Sequence, residues 1–206
     1  YQESISNNDE FWSSIAERVD WYGKWEKVSD VDYKKAKISW FLNGKLNVSY
    51  NCLDRHVNEG NGDKTAIIWE GNNPSEDKKY TYSELLIEVK RFANVLKSLG
   101  VKKGDRVCLY MQMVPELSIA MLACCRIGAV HSVVFGAFSA DSLRDRINDS
   151  SCKILITQDT GVRGKKDNIP MKENANTALR ETPSIDAVVV VKRTGGEINW
   201  NENRDV

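Results

Sequence analysis

Apolar and polar positions alternate in two ways along most of the chain. Short runs that are apolar almost throughout predict buried strands, and longer stretches with apolar residues every three or four positions predict helices. The predicted strands are TAIIWE (65–70), RVCLYM (106–111), AVHSVVF (129–135), KILIT (153–157) and DAVVVVK (186–192). Helical patterns follow at 82–99, 115–127, 139–148 and, more weakly, 171–180. This alternation predicts an α/β fold, with a mostly parallel sheet and helices on both of its faces.

The helix over 82–99 has clear signals at both ends. Thr81, at the end of the short predicted strand in KKYTYSEL, is followed three positions later by Glu84, which is the spacing of a capping box. Gly100 follows the last apolar position and is suited to a helix C-terminus. One face of the helix carries the apolar residues Leu85, Val89, Phe92, Ala93, Leu96 and Leu99.

The first 62 residues follow a less regular pattern. FWSSIAERVDWYGKW is predicted to be helical at its start, NVSYNCLDRHV to form a short helix or turn, and NEGNGDK to be a turn-rich spacer. We therefore expect a helical and irregular segment over 1–62 and an α/β region over 63–206. A tyrosine at position 1 suggests a piece excised from a longer chain.

Charge and cysteine content narrow the class of protein. Lys plus Arg equals Asp plus Glu, at 29 each, so no net charge attracts the chain to nucleic acid or an anionic membrane. The least charged window, 107–125, is long enough for a membrane span, but Pro115 and Glu116 favour a buried strand followed by a buried helix. The five cysteines are odd in number and lack a C-x-x-C spacing, which favours reduced thiols in the cytoplasm.

Gly136, in VVFGAFS (133–139), is the first candidate site residue. It follows a predicted parallel strand, and ligands of open α/β sheets bind at the carboxyl ends of the strands. One interpretation is a strand-to-helix turn that needs a small residue, with Ser139 as the helix cap and Asp141 in the first turn. The other is that a ligand lies along the bare backbone.

A basic stretch, TGVRGKKDNIPMK (160–172), is the second candidate. Its four positive charges, Arg163, Lys165, Lys166 and Lys172, outnumber the single Asp167. Such a run is usually a solvated face. However, it too follows a predicted parallel strand, and an arginine beside a glycine combines a planar phosphate donor with a flexible backbone. A phosphate site therefore remains the alternative.

No catalytic group or metal ligand set stands out. The chain has neither a G-x-x-x-x-G-K-[ST] loop nor a G-x-G-x-x-G turn. Of its two histidines, His131 lies within an apolar strand and is interpreted as a core residue. His56, next to Asp54 and Arg55, is interpreted as part of a polar helix end held by local hydrogen bonds.

Several long segments resemble AMP-forming acetyl-coenzyme A synthetases of the adenylate-forming superfamily. They are SWFLNGKLNVSYNCLDRHV, YTYSELLIEVKRFANVLKSLGVKKGDRVCLYM, MLACCRIGAVHSVVFGAFS, GVRGKK and VVVVKRTGGEINWNENRD. The resemblance covers nearly the whole chain and implies an incomplete lobe of the large N-terminal domain of these enzymes. Propionyl-coenzyme A synthetases share some segments, whereas GVRGKK favours the acetyl enzyme.

The resemblance implies a two-step reaction, in which acetate and ATP form acetyl-adenylate and coenzyme A (CoA) then displaces AMP. The implied requirements are ATP, Mg²⁺ and CoA, with no nucleic acid or membrane partner. Arg163, Gly164, Lys165 and Lys166 are expected to hold phosphates of CoA, and the turn Gly136-Ala137 to lie along its path. Ala137 stands where the family has a second glycine, and Lys166 where it has an arginine.

Three hypotheses follow. The chain is a piece of an acetate-activating ligase, inactive by itself because the ATP, magnesium and acyl sites lie in later sequence of such enzymes. Alternatively, it is a short CoA-binding module without catalysis, or a structural remnant whose basic loop is only solvated. A reading frame that continues into a Ser/Thr/Gly-rich phosphate loop would favour the first.

Overall fold

The N-terminal region combines short helices with a β-hairpin. The computed structural model describes residues 1–206. Helices α1 (Gln2–Ser6) and α2 (Asn8–Ala16) precede the antiparallel strands β1 (Lys27–Asp32) and β2 (Lys37–Leu42). A helical stretch over 48–61, which contains π-helical turns, ends this region.

The hairpin β1–β2 departs from the expectation of helical and irregular structure up to residue 62. Its turn contains neither Asn-Gly nor Asp-Gly, the strongest local signals for a hairpin. Ala36 adopts the left-handed φ of 52° instead. Edge-on contacts place the Trp25 ring 4.9 Å from Trp21 and 5.2 Å from Phe41. These aromatic contacts join β2 to the segment before β1, and the alternation of residues does not reveal them.

A second hairpin and a long helix begin the α/β region. Strands β3 (Thr65–Trp69) and β4 (Lys78–Thr81) are antiparallel, and helix α3 (Tyr82–Ser98) follows directly. The predicted capping box is confirmed: Glu84 N donates to Thr81 Oγ1 at 3.2 Å, and Thr81 N donates to Glu84 Oε2 at 2.8 Å. The predicted apolar face is the buried face of α3, although Phe92 and Leu99 are only partly buried.

Four parallel strands form the central sheet. The remaining elements are β5 (Arg106–Met111), α4 (Pro115–Ile127), β6 (Val130–Phe135), α5 (Ala140–Ser150), β7 (Ile154–Gln158), β8 (Gly161–Arg163), β9 (Lys166–Ile169), α6 (Met171–Ala178) and β10 (Ala187–Val191). The sheet has the order β10-β7-β5-β6, and β8 and β9 form a separate antiparallel hairpin. The predicted α/β class is confirmed.

Helices cover both faces of this sheet. Successive residues of a strand point to opposite faces, and on β5 Leu109 faces the core formed with α3 and α4, whereas Cys108 and Tyr110 face the core formed with α5 and α6. Strands β5 and β7 are buried along nearly their whole length. Their continuous apolar runs are thus explained by packing on two sides.

Strand β6 corrects one sequence-based expectation. AVHSVVF was predicted to be a central, buried strand, but β6 lies at the edge of the sheet and pairs only with β5. Val130, Val133 and Phe135 expose 53, 46 and 58% of their surface. An apolar run indicates strand structure, but the order of strands depends on crossover connections that the run does not encode.

Hydrogen exchange should reproduce this ranking of strands. We expect the amides of β5 and β7 to exchange slowest, because both strands are paired on two sides and covered on both faces. In β6, alternate amides have no partner strand and should exchange faster. Exchange measured residue by residue by NMR checks this order. Uniform protection across β6, equal to that of β5, would contradict it.

The last residues of the chain extend the sheet beyond β10. Val188 N donates to Arg204 O and Val206 N donates to Val188 O, both at 2.9 Å. Beside them, Lys172 Nζ donates to Asp205 Oδ2 at 2.7 Å, and both side chains are completely buried. Lys172 therefore does not belong to an exposed basic stretch, because it is the internal partner of a carboxylate 33 positions later.

Candidate functional site

A groove of about 1170 Å³ opens at the carboxyl ends of the parallel strands. The segments after β5, β6 and β10 line it, together with the hairpin β8–β9 that follows β7. The chain passes from β5 to α4 on one face, but from β6 to α5 and from β7 through the hairpin to α6 on the other. The connections that follow neighbouring strands therefore leave toward opposite faces of the sheet, and a crevice opens between them.

The basic stretch forms the hairpin β8–β9 where the sequence suggested a loop. Arg163 pairs with Lys166, which leaves Gly164 and Lys165 as a two-residue turn. Gly164 has a φ of 58°, a positive value that favours glycine over residues with a side chain. The turn thus explains the glycine and places the basic side chains on both sides of it.

The cations of this hairpin are free of internal partners. Arg163, Lys165 and Lys166 are exposed, line the groove and form no ion pair within the chain. The neighbouring Asp167 is likewise exposed and makes no ion pair. Three unpaired positive charges next to one negative charge give this wall of the groove a local positive potential.

The turn after β6 forms part of the groove beside the end of β5. Gly136 and Ala137 both line it. A Cβ atom on Gly136 would lie 3.0 Å from Met111 O and 3.1 Å from Met171 Cε, so a side chain here would crowd the end of β5 and α6. Packing at the strand-to-helix turn therefore accounts for a small residue at Gly136. Ala137, by contrast, is exposed, and its methyl group lies at the surface of the groove.

All six predicted site residues meet at this groove. Gly136 and Ala137 come from one strand end, and Arg163, Gly164, Lys165 and Lys166 from the hairpin after another. The two stretches belong to different crossover units but reach the same edge of the sheet. The groove thus joins a positive hairpin to a small-residue turn, an arrangement suited to a ligand with a phosphate at one end.

A further cation on the groove wall, Arg193, is already neutralised. Arg193 Nη2 donates to Glu76 Oε2 at 2.6 Å, and the guanidinium lies 5.3 Å from the ring centre of Trp69. This hydrogen bond holds the pKa of the Glu76 carboxyl below its ordinary value. Buried Asp159 fixes the backbone after β10, since it accepts from the amides of Arg193, Thr194 and Gly195.

Sequence reasoning missed several groove residues, among them Asn72, Gln112 and Arg193. Gln112 directly follows β5, and Arg193 comes two residues after the end of β10, so the rule that singled out Gly136 applied to them as well. No signal pointed to Asn72, because it follows the antiparallel strand β3 and reaches the hairpin only through tertiary folding.

The histidines lie outside the groove. Asp54, expected to hold the end of its own helix, instead accepts from Arg126 Nη1 and Nη2 at 2.7 and 2.8 Å, and this pairing lowers the pKa of the Asp54 carboxyl. The His56 ring lies against that of Tyr82, at 4.8 Å. His131 is half-buried on the edge strand, and burial lowers its pKa. Locally, His56 Nδ1 and Arg55 Nε approach the Glu59 carboxylate at 3.9 and 3.8 Å, beyond hydrogen-bond distance. The side-chain hydrogen bonds of Asp54 and Arg55 go to distant residues and not, as the sequence had suggested, to their own helix.

Two further observations concern metals and membranes. No group of three or more His, Cys, Asp or Glu side chains is arranged to hold a metal ion. None of the helices combines the length and the apolar character needed to cross a bilayer.

Comparison with known proteins identifies the family. The sequence model described as "AMP-binding enzyme" matches residues 53–205, and the one described as "Acetyl-coenzyme A synthetase N-terminus" matches residues 1–52. The chain belongs to the AMP-binding enzyme family, and its resemblance to acetyl-coenzyme A synthetases is confirmed.

The curated relatives agree with this assignment. Acetyl-coenzyme A synthetases of Magnetococcus marinus and Rubrobacter xylanophilus are 56 and 57% identical to it, over 207 and 206 residues. Acetyl-coenzyme A synthetase 2 of Pseudomonas aeruginosa is 56% identical over 207 residues. Each match covers 100% of this chain but 32% of the relative, so the chain spans about a third of the length of these proteins.

Proposed function

We propose that this chain is part of an AMP-forming acetate–CoA ligase and contributes the surface that holds the nucleotide phosphates of CoA. Arg163, Gly164, Lys165 and Lys166 bind the phosphates, and the pantetheine arm passes Gly136 and Ala137. The observation that carries the proposal is the set of unpaired cations on the hairpin at the mouth of the groove.

The chemistry of the hairpin supports phosphate as the ligand. A guanidinium offers two parallel donors to a phosphate, and lysine ammonium groups add point charges. The volume of the groove, about 1170 Å³, exceeds the roughly 300–1,000 Å³ of ordinary ligand pockets, so a long ligand fits it. A purely solvated face would account for the exposed charges, but not for their position at the ends of the parallel strands.

The rest of the proposal follows from the family. Acetate, ATP and Mg²⁺ are bound by later parts of the polypeptide, and the chain by itself is inactive. The division into a segment over 1–62 and an α/β region over 63–206 belongs to the proposal, as do a cytoplasmic location and the absence of nucleic-acid and membrane partners. The match of residues 1–52 to the acetyl-coenzyme A synthetase N-terminus favours acetate over propionate.

A chimera tests this function. The matching third of the Pseudomonas aeruginosa relative is replaced by this chain, and AMP formation is measured with acetate, ATP and CoA. We expect CoA-dependent AMP formation in the chimera and no pyrophosphate release by the chain alone. Binding of CoA to the isolated chain, measured by calorimetry, should weaken as salt rises, because the proposed contacts are exposed ion pairs.

The alternatives give different results. A non-catalytic module predicts CoA binding by the isolated chain but a folded chimera without turnover. A solvated remnant predicts equal affinity for CoA and dephospho-CoA, with no dependence on salt. Turnover by the isolated chain above that of a mock preparation would contradict the proposed division of the site.

A further inference from the structure

The outer edge of β8 is completed by side chains where a third strand would lie. Gly161 and Arg163 pair with β9. Alternate residues of an antiparallel strand direct their peptide groups to opposite edges, so Val162 turns its N–H and C=O away from β9. Gly164, the first residue of the turn, also has its N–H and C=O bonded on the side away from β9. A hairpin of strands this short, three and four residues, has little stability of its own. What binds these outer peptide groups therefore decides how firmly the hairpin is held.

Two side-chain amides bind them reciprocally. Val162 N donates to Gln112 Oε1 at 3.0 Å, and Gln112 Nε2 donates to Val162 O at 3.2 Å. Gly164 N donates to Asn72 Oδ1 at 2.6 Å, and Asn72 Nδ2 donates to Gly164 O at 2.9 Å. A primary amide carries the donor and the acceptor of a peptide group. Asn72 and Gln112, which we call the amide clamp, therefore replace a neighbouring strand.

The Gln112 half of the clamp is anchored in the sheet. Gln112 directly follows β5, and its backbone N donates to Oε1 of the fully buried Gln158 at 2.9 Å. A Cβ atom at position 161 would lie 2.5 Å from Gln112 Oε1, so the amide occupies the space of a side chain. Gly161 is thereby explained as the residue that admits the clamp.

The Asn72 half ties the tip of the hairpin to the opposite wall. Asn72 lies three residues beyond Trp69, whose Nε1 donates to Met113 O at 2.7 Å and so fixes that wall to the segment after β5. Arg163 lies between the two clamped residues, Val162 and Gly164. Its backbone is consequently held on both sides, while its side chain stays free to meet a ligand.

We propose that Asn72 and Gln112 are positioning residues, which fix the hairpin so that Arg163 meets a phosphate of CoA. This inference rests on the proposed function. Without the clamp, the hairpin would have to be ordered when the ligand binds, and ordering it would cost conformational entropy. The clamp lowers that cost in advance.

Asn72→Ala in the chimera tests the role of the clamp. A lost pair of hydrogen bonds predicts about a threefold to tenfold rise in KM for CoA. The rate of ATP–pyrophosphate exchange with acetate should stay unchanged, because that half-reaction does not use the hairpin. Asn73→Ala is the matched control: its Oδ1 accepts from Ser75 N at 3.1 Å and it makes no hydrogen bond to the hairpin. In the isolated chain, the Gly164 amide should exchange faster in Asn72→Ala only.

A double-mutant cycle separates positioning from general destabilisation. If Asn72 acts through Arg163, Asn72→Ala should change KM for CoA by less than about twofold when Arg163→Ala is already present. Equal effects in both backgrounds would overturn the inference and leave the proposed function intact. If Arg163→Ala itself leaves KM for CoA unchanged, both fail. Gln112→Ala, followed by the same measurements, gives an independent second variant.

Discussion

Arg163→Ala in the chimera is expected to weaken CoA binding about tenfold to a hundredfold. A charge-assisted contact with phosphate contributes roughly 1.5 to 3 kcal/mol, which corresponds to this range. Arg163 is exposed, without an ion-pair partner, and lines the groove, so its removal leaves no buried group unsatisfied. The measurement is KM for CoA, beside the rate of ATP–pyrophosphate exchange, which should barely change.

Two controls accompany Arg163→Ala. Arg180 is also exposed but lies in the turn after α6, which leads to the amino end of β10, so Arg180→Ala should leave KM for CoA unchanged. If Arg163 binds the 3′-phosphate, Arg163→Ala should raise KM for dephospho-CoA by a smaller factor than it raises KM for CoA. If Arg163→Ala impairs ATP–pyrophosphate exchange as much as CoA use, or impairs neither, the hairpin is better explained as a solvated surface.

Asp205→Asn is expected to lower the free energy of unfolding by about 3 to 5 kcal/mol, because it leaves a buried ammonium group without its counter-charge. Lys172 Nζ would keep only uncharged acceptors, Asn176 Oδ1 at 2.7 Å and Asn199 O at 3.0 Å. Urea unfolding monitored by tryptophan fluorescence gives the difference from the unaltered chain. A loss below about 1 kcal/mol would contradict the assigned role of the pair.

A control variant and the dependence of stability on pH test the Asp205→Asn prediction further. Lys166→Met removes an exposed lysine and should change stability by less than about 0.5 kcal/mol. Burial raises the pKa of Asp205, but hydrogen bonds from Arg204 and Lys172 outweigh it and hold the pKa below its ordinary value. The stabilisation is then present above pH about 4 and is lost as pH falls through the lower pKa of the folded state. The difference in free energy of unfolding between Asp205→Asn and the unaltered chain should therefore become smaller at acid pH.

The kinds of element along the chain were predictable, but their neighbours were not. Strands β5 and β7 are short apolar runs and helix α3 has a capping box, and each of these signals is contained in a few adjacent residues. The hairpin β1–β2 has no such signal in its turn, and the edge position of β6 depends on crossovers between distant segments. Local patterns report what a segment forms, whereas pairing is a property of the whole chain.

The candidate site divides in the same way. The sequence by itself determined that Gly136, Ala137 and residues 163–166 follow strand ends, because the chain order of strands and helices places them there. Only the tertiary structure decided that Lys172 is buried against Asp205 while Lys166, in the same basic stretch, is exposed. It likewise brought Asn72 to Gly164, 92 positions apart. Burial and amide pairing depend on contacts between distant segments, and no residue's immediate neighbours in sequence encode them.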